Sequence, residues 1–566
     1  MKKLLAILLL LCILTSCFAA CSLSDDDDDD DKRRNKGKFS SDGVEYTISE
    51  DGTYAIATGY TGKSARVKIE DTYENLPVTS IGAEAFSSSS IKAIQIPEGV
   101  TSIGDYAFSD CYSLESIEIP EGVTSIGEYA FEYCNFKEIV LPSTLTTIGE
   151  RAFSNCHNLT AIEIPERITV IGYGTFSSCY NLKSVTLPQG LTEIADCAFF
   201  YCNSLESIEI PEGVVSIGYN AFYSCDKLKS IEIPYSVVNI GLCAFEGCDV
   251  LTSIEVDSGN IKYASIDGNL YTKDLTELIQ YAIGKKDTIF SVPETVSEIG
   301  YGAFSECESL TAIYLPYRLD TISFWAFEDC TNITSIDIPS SVTHIDDNSF
   351  YGCSSLENIN VSAYNSSYGS VNGVLYTKDG KTLLTYPAGK KAESFNIPYG
   401  VTHIGDYAFS DCSNLKSLSI PNSVSSIDEY AFGYSTELGE EEGGIRYIDG
   451  WAIDYDGSST SVDFRDGTRG MADGLFQYSS ITSVKIPDGV TSIGDNAFYY
   501  CENLVSVTIP NSVTDIGQWA FADCTSLSTI IYNGTTYEWN NIFADNYWDN
   551  NSGPYTVYCT NGNIYN

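Results

Sequence analysis

Leu114-Glu115-Ser116-Ile117-Glu118-Ile119-Pro120-Glu121-Gly122-Val123-Thr124-Ser125-Ile126-Gly127-Glu128-Tyr129-Ala130-Phe131-Glu132-Tyr133-Cys134 is one copy of a unit that recurs along most of the 566-residue chain. Ile117 and Ile119 alternate with Ser116 and Glu118, the period of a strand buried on one side. Pro120 has no backbone donor and ends that ladder. Val123 and Ile126 supply a second inward-facing segment, and Gly127 is expected to relieve a strained turn. Ala130-Phe131 are expected to form a short helical or 3₁₀ turn, the ring filling the space between coils and Cys134 closing the unit. A unit this short cannot enclose a core of its own. Its apolar side is buried only when copies stack, so the stretch specifies a solenoid.

Prolines keep the count outward from this copy. Pro97, Pro120, Pro142, Pro165, Pro188, Pro211 and Pro234 lie 22 or 23 residues apart, and the beat returns at Pro293, Pro316, Pro339, Pro398, Pro421, Pro487 and Pro510. Phenylalanine keeps a second count, with sixteen copies from Phe86 to Phe521. Neighbouring coils align strand on strand at about 4.8 Å, so about sixteen 23-residue coils give a rod or arc on the order of 75 Å long.

The motifs Leu-x-x-Ile-x-Ile-Pro, Val-Thr-x-Ile-Gly and Ala-Phe-x-x-Cys at this spacing resemble the leucine-rich repeats of BspA-like bacterial surface proteins, over roughly residues 45 to 566. The segment from Asp51-Gly52-Thr53-Tyr54 to Val78-Thr79-Ser80-Ile81-Gly82 is similar to that family's entry cap, and Ile531-Tyr532-Asn533-Gly534-Thr535 through Gly562 to its exit cap. Stacking itself demands caps, because bare end coils would show core and open strand edges to water. The expected fold is α/β but β-rich: a leucine-rich repeat solenoid of about sixteen coils with β-hairpin-rich inserts and terminal caps.

The proline beat skips three times. The gaps Pro234 to Pro293 and Pro339 to Pro398 contain matching segments, Ser265-Ile266-Asp267-Gly268-Asn269-Leu270-Tyr271 and Ser370-Val371-Asn372-Gly373-Val374-Leu375-Tyr376. Asp-Gly and Asn-Gly between alternating apolar residues mark hairpin turns. The third gap holds Trp451-Ala452-Ile453-Asp454-Tyr455-Asp456-Gly457 and an acidic start, Glu440-Glu441-Glu442, expected to be a loop. The division that follows is a signal with lipobox (1–20), a charged tether (21–38), an N-terminal cap (39–77), repeats (78–256), a hairpin insert (257–289) and repeats (290–361). A second hairpin insert (362–394), repeats (395–435), a third insert (436–475), repeats (476–530) and a C-terminal cap (531–566) complete it.

Met1-Lys2-Lys3, an apolar run to Leu14, and small residues with cysteine have the layout of a secretory signal. Leu14-Thr15-Ser16-Cys17 resembles a lipobox, with Phe18-Ala19-Ala20-Cys21 as second candidate, so lipid attachment at Cys17 or Cys21 is expected over a plain cleaved signal. The expected location is the cell surface, lipid-anchored to a bacterial membrane, with secretion as the alternative. Asp25 to Asp31 and the basic cluster after them lack core-forming residues and read as a solvated tether.

The chain carries 77 acidic and 31 basic residues, a net of −46, which excludes nucleic acid as the natural partner class. Thirteen of the nineteen cysteines hold one repeat position, which points to buried free thiols rather than disulfides. Histidines number three, His157, His344 and His403, all at variable positions, and no catalytic motif is present. The sequence therefore assigns no catalytic residue, metal ligand or cofactor. One pattern exceeds this background: the outward strand position carries Glu118, Glu163, Glu209, Glu232 and Glu255, an acidic stripe proposed as the ligand-binding face. The reading is a monomeric, non-catalytic, adhesin-like binder of extracellular protein or glycan ligands. The resemblance implies host matrix or neighbouring cells as their source, with membrane contact only through the lipid anchor. The alternatives are a structural spacer of the cell envelope and, more remotely, a secreted hydrolase.

Overall fold

The computed structural model describes residues 39–565. The signal, Cys17, Cys21 and the polyaspartate lie outside the described residues. The chain winds as a β-rich, nearly helix-free solenoid of about 22 turns, more than the sixteen counted from phenylalanine because caps and inserts add turns of their own.

Each coil has two strands on opposite sides. The longer one, such as Ser116–Glu118, precedes the proline; the shorter, such as Ser125–Ile126, follows it. Both stack in parallel register one repeat apart: Ile94 on Ile117 in the first ladder, Ile103 on Ile126 in the second. Leu114, Val123, Ala130 and Phe131 are fully buried, Ile126 nearly so. The rings form a continuous spine, with Phe108–Phe131 and Phe131–Phe153 both 5.4 Å between centroids and nearly parallel. Burying a phenylalanine in every coil is the main apolar contribution of the repeat.

Two local expectations change. The Ala-Phe segment is not helical. Each turn instead holds two left-handed residues four apart, Tyr129 (φ 54°) and Tyr133 (φ 58°) in the quoted copy. The only described α-helix is Thr536–Trp539 in the exit cap, closed by a capping box between Thr535 and Glu538. Gly127 is also not a left-handed residue. A Cβ there would lie 2.6 Å from the Asp105 backbone nitrogen of the preceding coil, so glycine is required for close approach of successive coils.

The left-handed turn explains the cysteines. In it the phenylalanine carbonyl accepts the amide of the cysteine three residues on, Cys111 to Phe108 at 3.3 Å. The thiol of the next coil is a second donor to it: Cys134 Sγ to the Phe108 oxygen at 3.3 Å, Cys156 Sγ to that of Phe131 at 3.1 Å. The pattern continues to Cys524 and Phe498 at 3.1 Å. All sixteen cysteines among the described residues are free. Burial pushes the thiols up, Cys179, Cys248 and Cys353 to about 12, which keeps them protonated donors.

The inserts are threaded in line. Tyr263–Ile266 and Asn269–Thr272 form the first hairpin, and Glu277–Gln280 returns to join the short-strand ladder through Glu298–Ile299. Tyr281 then takes the phenylalanine slot, its ring 5.4 Å from Phe304. The second insert repeats this, with Tyr386 5.4 Å from Phe409. In the third, Glu440–Glu442 is a strand paired with Ile445–Tyr447 rather than a loop.

That third insert reproduces the entry cap. Tyr60 Oη receives the Ser64 amide at 2.8 Å, and Tyr455 Oη receives that of Ser459 at 3.1 Å. Tyr46 Oη receives the Glu70 amide, and Tyr447 Oη that of Arg465, at 2.9 and 3.2 Å. A cap motif thus restarts the solenoid in mid-chain, and Arg469, bonded to the Asp449 carbonyl at 2.9 Å and to the Ile420 carbonyl, ties it to the coil before it.

Candidate functional site

The five stripe glutamates all emerge on the long-strand face and are exposed. Glu232 and Glu255 are direct register partners, and Glu209 stands one coil before Glu232. Glu118 and Glu163 are separated by the coil of Val140, itself 81% exposed, so the dense part of the stripe is its last three rungs. Ion pairs on this face include Lys92–Glu115 at 3.1 Å, one row below, and Lys68–Glu70 at 3.4 Å, two rungs before Glu118 in its own row. Glu255 closes the row, accepting from Ser253 and, at 3.2 Å, from Ser265 of the first hairpin.

The hairpin tips divide this face. The Ile254 amide bonds the Gly268 carbonyl at 2.8 Å, and the Ile359 amide bonds that of Gly373 at 3.0 Å. Each tip lies across the end of one block of the long-strand ladder, so the face is a series of panels. The stripe belongs to the first panel.

The opposite turn face carries a feature the sequence reading missed. Its left-handed positions are filled in many coils by residues suited to them, such as Gly174, Asn220 and Asn155. Elsewhere they hold aromatics: Tyr106, Tyr129, Tyr133, Tyr201 and Trp325, then Tyr407, Tyr430, Tyr434, Tyr478, Tyr500 and Trp519, with φ between 51° and 60°. A bulky side chain at such a φ costs on the order of 1 kcal/mol. The signal was available as aromatics two residues before and two after each repeat phenylalanine. A helical reading of that segment gives it no weight.

Buried carboxylates also gather on this side. The fully buried Ser305 hydroxyl lies 3.1 Å from Glu246 Oε1 and 3.2 Å from Glu328 Oε2, joining coils on either side of the first insert. Burial holds Glu246 up at about 7. Asp406 and Asp473 are pushed up to about 8 by burial and then by neighbouring carboxylates. The histidines do not share a site: His344 pairs with Asp346 at 2.7 Å, His403 with Asp428 at 2.9 Å. Among the described residues no group of three or more His, Cys, Asp or Glu has the arrangement of a metal site. A cavity of about 20 Å³ beside Asp406 and Tyr407 holds one water at most. The larger space, about 460 Å³, is an open cleft beside the first insert with Asp249, Lys286, Glu306 and Asp329 on its walls. The walls of the larger space carry four carboxylates and one cation, Lys286.

A sequence model of BspA-type leucine-rich repeat regions matches residues 79–206, 192–280, 281–371, 388–442 and 469–557. No curated protein matches the chain. Among solved structures, the chain is similar to a leucine-rich repeat protein from Bacteroides ovatus, 28% identical over 71% of this chain and 100% of that one, TM-score 0.43. It is also similar to a leucine rich cell surface protein from Faecalibacterium prausnitzii, 26% identical over 90% and 97% of the two chains, TM-score 0.28. A third, from Eubacterium ventriosum, is 22% identical over 81% and 97%, TM-score 0.40. No helix of the described residues is long and apolar enough to cross a membrane.

Proposed function

The chain belongs to the BspA-type leucine-rich repeat family, and from that premise we propose that it is an adhesin-like surface protein, anchored by lipid at Cys17 or Cys21, that binds extracellular protein or glycan ligands without catalysis. The observation that carries the reading is the run Glu209, Glu232 and Glu255, exposed on consecutive rungs, with Lys285 within electrostatic reach of Glu255. Carboxylates about 4.8 Å apart repel by roughly 1 kcal/mol or less per pair in water. Stacking does not require that repulsion, since Thr186 occupies the same row without it. A ligand presenting cationic groups removes it, which makes the first panel the contact face.

The test is capture of matrix proteins and surface glycans by the immobilised full chain, at low and high salt. The expected result is saturable binding that weakens with salt and with Glu209→Gln, Glu232→Gln and Glu255→Gln combined. Binding unchanged by that variant removes the stripe from the contact, and no capture at all turns the reading to the envelope spacer. Mass spectrometry of the mature N-terminus decides the anchor: a diacylglyceryl cysteine at 17 or 21 is expected, and an unmodified one refutes it.

A further inference from the structure

The turn segments of the last coils are built from two kinds of side chain. Residues 405–415, 427–438, 471–482, 493–505 and 516–528 contain nine Asp or Glu and no Lys, Arg or His. Burial keeps Asp406 and Asp473 protonated and His403 pairs with Asp428, so the acids left to attract a cation are Asp411, Glu429, Glu437, Asp495, Glu502 and Asp523. Tyr430, Tyr434, Tyr478, Tyr500 and Trp519 stand among these acids, 38, 55, 63, 41 and 41% exposed. All five have left-handed φ, between 52° and 60°.

The repeat does not ask for aromatics there. Other coils place Gly174, Asn220 or Asn348 at the first of the two positions, and Asn155 or Gly352 at the second, with the same backbone. The rings are not needed by the core either, whose spine is the separate row Phe409, Phe432, Phe476, Phe498 and Phe521. They nonetheless form one surface across the third insert. Gln477 bonds Tyr430 Oη at 3.1 Å and also Glu429. Tyr478 and Tyr500 stack at 5.6 Å, and Tyr499 meets Tyr500 edge-on at 4.8 Å. Tyr430 also stacks on Tyr407 at 5.4 Å and Tyr434 meets Tyr351 edge-on at 6.0 Å, and Glu429 and Asp523 lie within electrostatic reach of the tyrosines.

We infer that this aromatic and acidic turn face docks a lysine- and arginine-rich polypeptide segment of a partner, its cationic heads resting on Tyr430, Tyr434, Tyr478, Tyr500 and Trp519 beside the carboxylates. Guanidinium and ammonium groups are the chemistry that both features attract, the rings through their quadrupole and the acids through charge. The five segments supply no Lys, Arg or His themselves; from outside them His403 pairs with Asp428 and Arg446 bonds the Ser435 carbonyl beside Tyr434. It lies away from the strand-face stripe and stands independently of it.

The experiment uses the full chain carrying Glu209→Gln, Glu232→Gln and Glu255→Gln, so that the strand face cannot contribute, and reads anisotropy of a labelled oligo-arginine peptide. Tyr434→Asn, Tyr478→Asn and Tyr500→Asn together install at each site the residue type that Asn155 shows to fit. They are expected to leave the melting temperature equal or higher and to weaken binding about ten-fold or more. The three Tyr→Phe replacements, which keep the rings, are expected to retain affinity. Equal affinity in the asparagine variant, failure of the parent to bind the peptide, or equal binding of an oligo-glutamate peptide would each overturn the inference. Salt-insensitive binding of a neutral oligosaccharide with none of oligo-arginine would do the same.

Discussion

Two turn segments share one backbone and differ in what they display. At Gly174 and Ser178 the left-handed pair has φ 57° and 59°; at Tyr430 and Tyr434 it has φ 60° and 56°. Both sit beside a buried ring, Phe176 in one coil and Phe432 in the other. The same holds one step deeper. Cys179 donates its thiol to the Phe153 carbonyl at 3.1 Å, while Ser435 donates a hydroxyl to that of Phe409 at 2.5 Å. The fold sets a dihedral angle and a donor at these places, and leaves the side chain open. What is chosen beyond that minimum reports function or history rather than folding.

The largest effect should come from what the two segments share. Phe131→Ala opens a hole between Phe108 and Phe153, both in contact with the lost ring. The expected cost is about 3–5 kcal/mol in urea unfolding. A cost under about 1 kcal/mol would mean that coils are held chiefly by their ladders. The donor comes next. Cys134→Ala removes one of two donors to the Phe108 carbonyl, which keeps the Cys111 amide at 3.3 Å, and should cost about 0.5–1.5 kcal/mol, whereas Cys134→Ser should recover much of that by copying Ser435. Equal losses in the two variants would reduce the ladder to packing alone.

How far the sequence could be read follows the same division. Ile117, Ile119, Val123 and Phe131 announced strand, strand and spine because inward positions stay apolar from copy to copy, Val185, Leu141, Leu145 and Tyr281 being among the exchanges. Ala-Phe fits a helix locally, and only contact between coils reveals that alternate amides bond across coils instead, Tyr129 to Glu150 at 2.9 Å and Phe131 to Ala152 at 2.8 Å. The kinship of the entry cap with residues 436–475 was hidden for another reason. It resides in Tyr46, Tyr60, Tyr447 and Tyr455 hydroxyls bonding the backbone, and their spacing differs between the copies. The acidic stripe was legible by position, but its end at Glu255 required the hairpin that Ser265 brings to it.

Acidity separates the two regions further. Asp406 and Asp473, near the aromatic coils, have carboxyls raised to about 8 by burial. In the unfolded chain such groups lose their protons near pH 4. Between roughly pH 4 and pH 8 the unfolded chain therefore binds fewer protons than the folded one, and stability falls as pH rises through that window. His403, raised by its bond to Asp428, acts in the same direction, since its stabilising charge is lost as pH climbs through its folded value. Melting temperature should decline from pH 5 to pH 8, and Asp406→Asn with Asp473→Asn should flatten the decline. A rise over that range would contradict the buried, protonated carboxyls.

The smallest effect tests the comparison most directly. Tyr434→Asn gives the second region the residue that Asn155 provides at the matching turn of the first. If the tyrosine is held at φ 56° against its preference, the replacement relieves strain on the order of 1 kcal/mol. The lost ring contact returns part of that, so the net expectation is a melting temperature unchanged or raised by a degree or two. The reverse exchange, Asn155→Tyr, should lower it by a similar amount, because Asn155 also bonds Ser154 at 2.9 Å. Opposite signs for the two exchanges would establish that one backbone serves both turns and that the aromatic residue is an added load. A clear loss of stability in Tyr434→Asn would show instead that the ring supports the coil, and the two turns would no longer be equivalent.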